Sequence, residues 1–138
     1  MPEKTQHYQL NQWDPSDSFL RADFNEDNAK LEAALTGKCE MLWGTYVGDG
    51  QEEHFISLDF TPKAVLVVSS NGNMVSGINL QGGLAVEGAP VAYKSGSTYQ
   101  PVLEIAEGGF KAYYKKIGTS AQICSNSSGV TFHYIAFR

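Results

Sequence analysis

Cysteine is scarce: Cys39 and Cys124 are the only two in the chain, and they lie far apart. Neither belongs to a metal-type spacing, so a cysteine-built zinc site is not expected. They read as two buried thiols rather than one long-range disulfide, because unbonded cysteine packs as a small hydrophobe and nothing signals secretion. Basic residues are also few, 10 Lys and Arg against 15 Asp and Glu, for a net charge of −5. A chain with no basic stripe has little with which to displace counterions from a phosphate backbone, so nucleic acid is not an expected partner. No apolar run is long enough to span a bilayer, and the start Met1-Pro2-Glu3-Lys4-Thr5-Gln6 lacks the apolar segment of a signal peptide. The expectation is a protein made in the cytoplasm, with no membrane insertion.

Catalytic and metal-binding signatures are missing as well. There is no P-loop, dinucleotide fingerprint or G-x-S-x-G elbow, and His7, His54 and His133 are isolated from one another. Asp23-x-Asn25-x-Asp27 imitates the opening of a calcium loop, but Asn28 stands where that loop needs glycine and Ala34 where it needs a bidentate glutamate. Adjacent Glu52 and Glu53 would point to opposite faces of a strand, so they read as loop-solvating rather than as a paired-carboxylate site. Asn126-Ser127-Ser128 matches a glycosylation sequon but reads as turn chemistry. No enzymatic activity, cofactor or metal is expected.

What is present is a two-part layout. Residues 14 to 38 carry a helix code with two possible starts: Asp14-Pro15 as N-cap and first-turn proline, or Asp23-x-x-Glu26 as a capping box. Gly37 supplies the stop. Within it Phe24, Asn28, Leu31 and Leu35 fall at heptad spacing, an oligomerisation seam with an asparagine in its middle. So short a helix needs a partner, either its own domain or copies of itself. The chain is rich in glycine (14) and aromatics (12%), and the remainder reads as strands and turns.

Met41 to Val47 reads as a strand closed by a Gly48-Asp49-Gly50 hairpin turn. Residues 55 to 60 alternate, with Ile56, Leu58 and Phe60 on one face. Lys63 to Val68 is apolar on both faces, which predicts the most buried strand, followed by an Asn71-Gly72 hairpin signal. Short strands are expected near Gly77 to Leu80 and Val91 to Tyr93. A hairpin joins Val102–Ala106 to Phe110–Lys116, and the last strand, Val130 to Arg138, is expected to be largely buried. Lys111, Tyr113 and Lys115 share one strand face. Tyr93, Tyr99 and Tyr113 lie in or beside polar, glycine-rich stretches and are candidate ligand-binding residues, since a ring flanked by donors suits a sugar; as structural residues they would be half-buried covers of sheet faces.

Several segments together resemble the tail-fibre and receptor-binding structural proteins of tailed bacteriophages and prophages. They are Leu10-Asn11-Gln12-Trp13, Asp23-Phe24-Asn25-x-Asp27-Asn28-x-Lys30-Leu31, Gly44-Thr45-Tyr46-x-Gly48-x-Gly50, Phe60-Thr61-Pro62-Lys63-Ala64-Val65-Leu66-Val67 and Ser128-Gly129-Val130-Thr131-x-x-Tyr134-Ile135-Ala136-Phe137. The match covers the helical segment and both ends of the rest, and fades over residues 74 to 103. It implies a homotrimer in the virion tail that meets other tail components and attaches to a host-surface glycan or protein. The expected architecture is mainly β: residues 1–38 as lead-in and helical stem, and residues 39–138 as an antiparallel β-sandwich tip. The alternative is a stand-alone monomeric carbohydrate-binding β-sandwich module with the helix packed on its own sheet.

Overall fold

In the computed structural model, which describes residues 2–138 (Ala121 by its backbone alone), the chain divides into two compact units, Met1–Cys39 and Glu40–Arg138. Met1, where the expected lead-in begins, lies outside the described residues. The first unit pairs β1 (Glu3–Lys4) with β2 (Asn11–Gln12) and continues into α1 (Arg21–Thr36). The helix begins at neither of the starts read from sequence. Asp14 and Asp17 instead close a turn of their own, with the Asp14 N–H donating to Asp17 Oδ2 at 3.0 Å and the Asp17 N–H to Asp14 O at 2.9 Å. Such local bonds compete with helix initiation. The helix then starts after an extended Leu20 that makes no side-chain cap. It stops at Gly37, which donates to Ala33 O from a right-handed conformation, so left-handed freedom is not what ends it.

The helix turns a polar edge to its hairpin. Asp27 Oδ2 accepts from both the backbone and side-chain nitrogens of Asn11 at 3.0 Å, and Lys30 Nζ donates to Gln9 O at 3.0 Å. No residue of α1 is buried, and the seam stays open: Phe24 is 48%, Leu31 40% and Leu35 64% exposed, with Asn28 exposed between them. Phe24 ends an aromatic chain through Phe19, 5.8 Å away, to Trp13.

The second unit is mainly β, with strands β3 (Met41–Val47), β4 (Glu53–Ser57), β5 (Ala64–Ser69), β6 (Val75–Ser76), β7 (Asn79–Leu80), β8 (Gly83–Val86), β9 (Val91–Ser95), β10 (Thr98–Ala106), β11 (Gly109–Ile117), β12 (Ser120–Cys124) and β13 (Thr131–Phe137). One sheet runs β3-β13-β5-β8; the other runs β6-β7-β12-β11-β10-β9, with β4 also on β11. Pairing is antiparallel except at one parallel bridge, Ile123 to Leu80. The β10–β11 hairpin forms over Gly108, whose φ of 76° suits glycine, as the sequence implies. Two other turn signals do not make hairpins. Gly48 to Gly50 carries the chain from one sheet to the other, since β3 pairs with β13 while β4 pairs with β11. Asn71-Gly72 closes a turn on Ser69, after which β6 pairs with β7. A turn reverses the chain locally, but which strand lies alongside is decided by distant burial.

The inner faces of the two sheets meet in one core. Tyr46 stacks on Phe132 with centroids 5.0 Å apart and meets Phe110 edge-on, and Phe110 in turn meets Tyr134 at 5.3 Å. Around these aromatics close Val65, Val67, Ile56, Leu103 and Ile123. Each fully buried phenylalanine contributes about 2–3 kcal/mol of transfer free energy. The strand expected to be most buried is buried on one face only: Val65, Val67 and Ser69 point in, whereas Ala64, Leu66 and Val68 are half-buried. The last strand behaves alike, with Phe132 and Ala136 inside and His133 and Ile135 outside. Register sets the outward residues of this sheet in two rows, Trp43–Ile135–Leu66–Leu84 and Met41–Phe137–Ala64–Val86. Of the cysteines, Cys124 is a buried thiol as expected, but Cys39 is exposed, and no disulfide joins them.

A buried polar pair ties the sheets together. Asn126, wholly inaccessible, donates through Nδ2 to Asp49 Oδ1 at 2.6 Å and Gln51 O at 2.9 Å. Its Oδ1 accepts from the Asp49 N–H at 3.0 Å and lies 3.0 Å from His54 Nδ1. The Tyr46 hydroxyl donates to Ser125 O at 2.6 Å, and Ser125 Oγ sits where β10 and β11 part, bonding Val102 O and the Tyr113 N–H. Gly48 permits this approach, since a Cβ there would stand 2.1 Å from Ser127 O. The sequon asparagine is thus structural. Its replacement strands a backbone donor and acceptor, so Asn126→Ala should lower stability by about 2–4 kcal/mol in urea unfolding. Bonds from the Gln51 N–H and Asn126 hold the Asp49 carboxyl below the ordinary carboxylate range. A carboxyl so lowered adds stability above its unfolded value that is lost as pH falls towards its folded one. The gap between wild type and Asn126→Ala should therefore narrow below about pH 4.

Candidate functional site

The outward face of the larger sheet is polar where β4, β10 and β11 lie together. Strand alternation puts Lys111, Tyr113 and Lys115 on that face, as expected, and each meets a glutamate. Lys111 Nζ lies 2.9 Å from Glu53 Oε1, Lys115 Nζ 3.2 Å from Glu52 Oε1, and the Tyr113 hydroxyl donates to Glu104 Oε2 at 2.8 Å. Beside them opens a cleft of about 260 Å³. Glu52, Glu53, Tyr113 and Lys115 form its polar wall with Gln100, and Pro101 and Ile123 supply apolar surface. Burial, followed by the hydrogen bond and charge of Glu104, pushes the Tyr113 hydroxyl well above the ordinary tyrosine range. It is therefore a neutral donor.

The two glutamates do not diverge as their adjacency in a strand would require. Glu52 lies just before β4, outside the pleat, so alternation does not separate it from Glu53 and both reach the cleft. Their ion pairs are partly exposed, and such pairs contribute about 0–1 kcal/mol each. Exchanging them for bonds to a ligand thus costs little. Carboxylates, ammonium groups, an amide and a phenol around an apolar floor suit a ligand with several hydroxyls or a peptide.

The three tyrosines singled out from sequence do not converge. Tyr93 and Tyr113 are both half-buried and pack against the core, but Tyr113 alone of the three lines the cleft. Tyr99 is 65% exposed at the β9–β10 hairpin, with Lys94 Nζ 5.7 Å from its ring centroid. Tyr93 pairs with Gln100 and Tyr99 with Lys94, so the two point to opposite sides of the sheet. Tyr99 shares a strand face with Pro101 and Tyr93 with Gln100, so each neighbours one residue of the cleft without lining it. Phe24, Asn28, Leu31 and Leu35 are brought onto one helix face, in the other unit. Sequence reasoning missed Gln100 and Glu104. Register across Glu107-Gly108, which sets Glu104 opposite Lys111 and diagonal to Tyr113, was the signal that could have found the latter.

No family model, no curated protein and no solved structure matches this chain. Among the described residues no three His, Cys, Asp or Glu side chains gather as metal ligands. Nor is any helix there long and apolar enough to cross a membrane.

Burial also raises the Tyr46 hydroxyl well beyond its ordinary range. At least two of the seven tyrosines should therefore stay neutral through the usual phenol titration. In an absorbance titration, Tyr46→Phe and Tyr113→Phe should each leave the amplitude near pH 10 unchanged.

Proposed function

We propose that this chain is a tail-fibre or receptor-binding structural protein of phage type: a homotrimer in the virion tail, with a helical stem and an antiparallel β-sandwich tip, that attaches to a host-surface glycan or protein. The observation that carries this is the open seam of α1. The helix spends its polar edge, Asp27 and Lys30, on its own hairpin and leaves Phe24, Leu31 and Leu35 exposed. Burying each of those side chains between copies is worth about 1.5–3 kcal/mol, and a central asparagine such as Asn28 sets register at some cost in stability. Self-association through the stem is the economical use of such a stripe.

The cleft at Tyr113 is the proposed ligand contact, with Tyr99 at its edge and Tyr93 supporting the sheet behind. A sugar stacked on one ring gains little, so a single site should bind at about millimolar to high micromolar, and three copies raise this through avidity. Other tail components would meet the stem end.

Light scattering should give about three times the 15.1 kDa chain mass. Leu31→Asp should dissociate the assembly while the strand signal in circular dichroism persists, because a buried unpaired charge costs several kcal/mol. A monomer at micromolar concentration would instead favour the stand-alone carbohydrate-binding module. On a glycan array or in a host-cell pull-down, Tyr113→Ala should abolish binding and Tyr99→Ala should weaken it. Full retention by both, with folding intact, would place the site elsewhere.

A further inference from the structure

We infer that the outward face of the four-stranded sheet is a contact between copies of this chain. The inference shares with the function proposed above only the premise that the chain self-associates; it adds where the second unit does so, and does not depend on the number of copies.

The two outer faces of the second unit are unlike. On the larger sheet, where β4 and β11 lie together, two outward glutamate–lysine pairs stand beside Phe55 and Tyr113. On the smaller one, the row Trp43–Ile135–Leu66–Leu84 and the row beside it contain no charged or polar side chain across all four strands. Trp43 is 79%, Met41 64%, Leu84 56%, Val86 39% and Ile135 38% exposed. Together these leave on the order of 600 Å² of contiguous apolar surface, at the upper limit of what a monomer shows. With its rim, the face approaches the roughly 800 Å² that each partner buries in a stable complex. A solvated antiparallel strand alternates apolar and polar residues; β5 does not, and β13 does so only in its first half, where Thr131 and His133 face out, so the apolar part of this face has no cover within the sheet pair.

Shape points to a copy of the same chain. The face carries both a hollow of about 180 Å³, walled by Trp43, Ile135 and His133 over Leu66 and Val68, and well-exposed side chains at its edges, Leu84 on β8 and Met41 on β3. Knob and hollow on one patch are what self-association through one surface requires. The absence of carboxylates from both rows also lets two chains of net charge −5 approach there with their like charges kept apart.

The test uses the full chain with Trp13→Phe, which leaves Trp43 as the sole tryptophan. Acrylamide quenching and mass are followed together over a dilution series. Where mass exceeds that of one chain, Trp43 quenching should fall roughly threefold relative to the dilute monomer as its ring leaves water. Adding Leu84→Glu, an exposed edge-strand change, should restore quenching and lower the mass. Trp43 freely quenched in the assembled state overturns this inference while leaving a stem-held trimer standing. A dimer with protected Trp43 supports it and overturns the trimer. Protection at the mass of a single chain overturns it, because the cover then comes from within the chain. A freely quenched monomer at every concentration overturns both.

Discussion

The second unit depends on one buried polar junction, the Ser125-Asn126 dipeptide. Both residues are inaccessible, and between them they satisfy backbone groups from the segment after β3, from β10 and from β11. Taking these groups out of water without partners would cost several kcal/mol, so the loop that carries them has little freedom to move. Because Tyr46 bonds to the same loop from the smaller sheet and meets Phe110 of the larger sheet edge-on, the hydrogen-bond network and the aromatic core determine one alignment of the two sheets. Gly48 is glycine for the same reason: the loop's backbone occupies the place of a side chain.

That alignment has a consequence on the outside. Once Phe110, Phe132, Val65 and Val67 are turned inwards, the pleat sends every alternate residue outwards. On β11 those residues are lysines and a tyrosine that find glutamates across the sheet, and the result is a cleft with a polar wall. On β3, β5, β8 and β13 they are chiefly Trp, Met, Leu, Val and Ile, for which water is a poor neighbour. The proposed ligand cleft and the proposed contact between copies thus lie on opposite faces of one core.

Much of the second unit was legible in sequence because strand alternation is a local property. Residues 41 to 47, the hairpin over Gly108 and the two faces of the last strand could all be read from period-two patterns and turn chemistry. The helix start was not, because Asp14-Pro15 satisfies a helix code and a turn code equally, and the Asp14–Asp17 bonds favour the turn. Strands β8 and β12 escaped notice since each is short and ordered chiefly by its neighbours. Of the site, Lys111, Tyr113 and Lys115 could be placed on one face, but Glu52 and Gln100 reach them from distant segments whose approach no local pattern encodes.

By itself the sequence determined class and periodicity: a mainly β chain after one helix, an apolar heptad stripe on that helix, and strands with identifiable faces. These follow from propensities and spacings acting over a few residues. Only the tertiary structure decided which turn joins a hairpin and which crosses between sheets, why Asn126 is buried, and which apolar faces remain in water. Each of those depends on the total area and the hydrogen bonds gained between segments far apart in the chain, and such sums exist only once the chain has closed on itself.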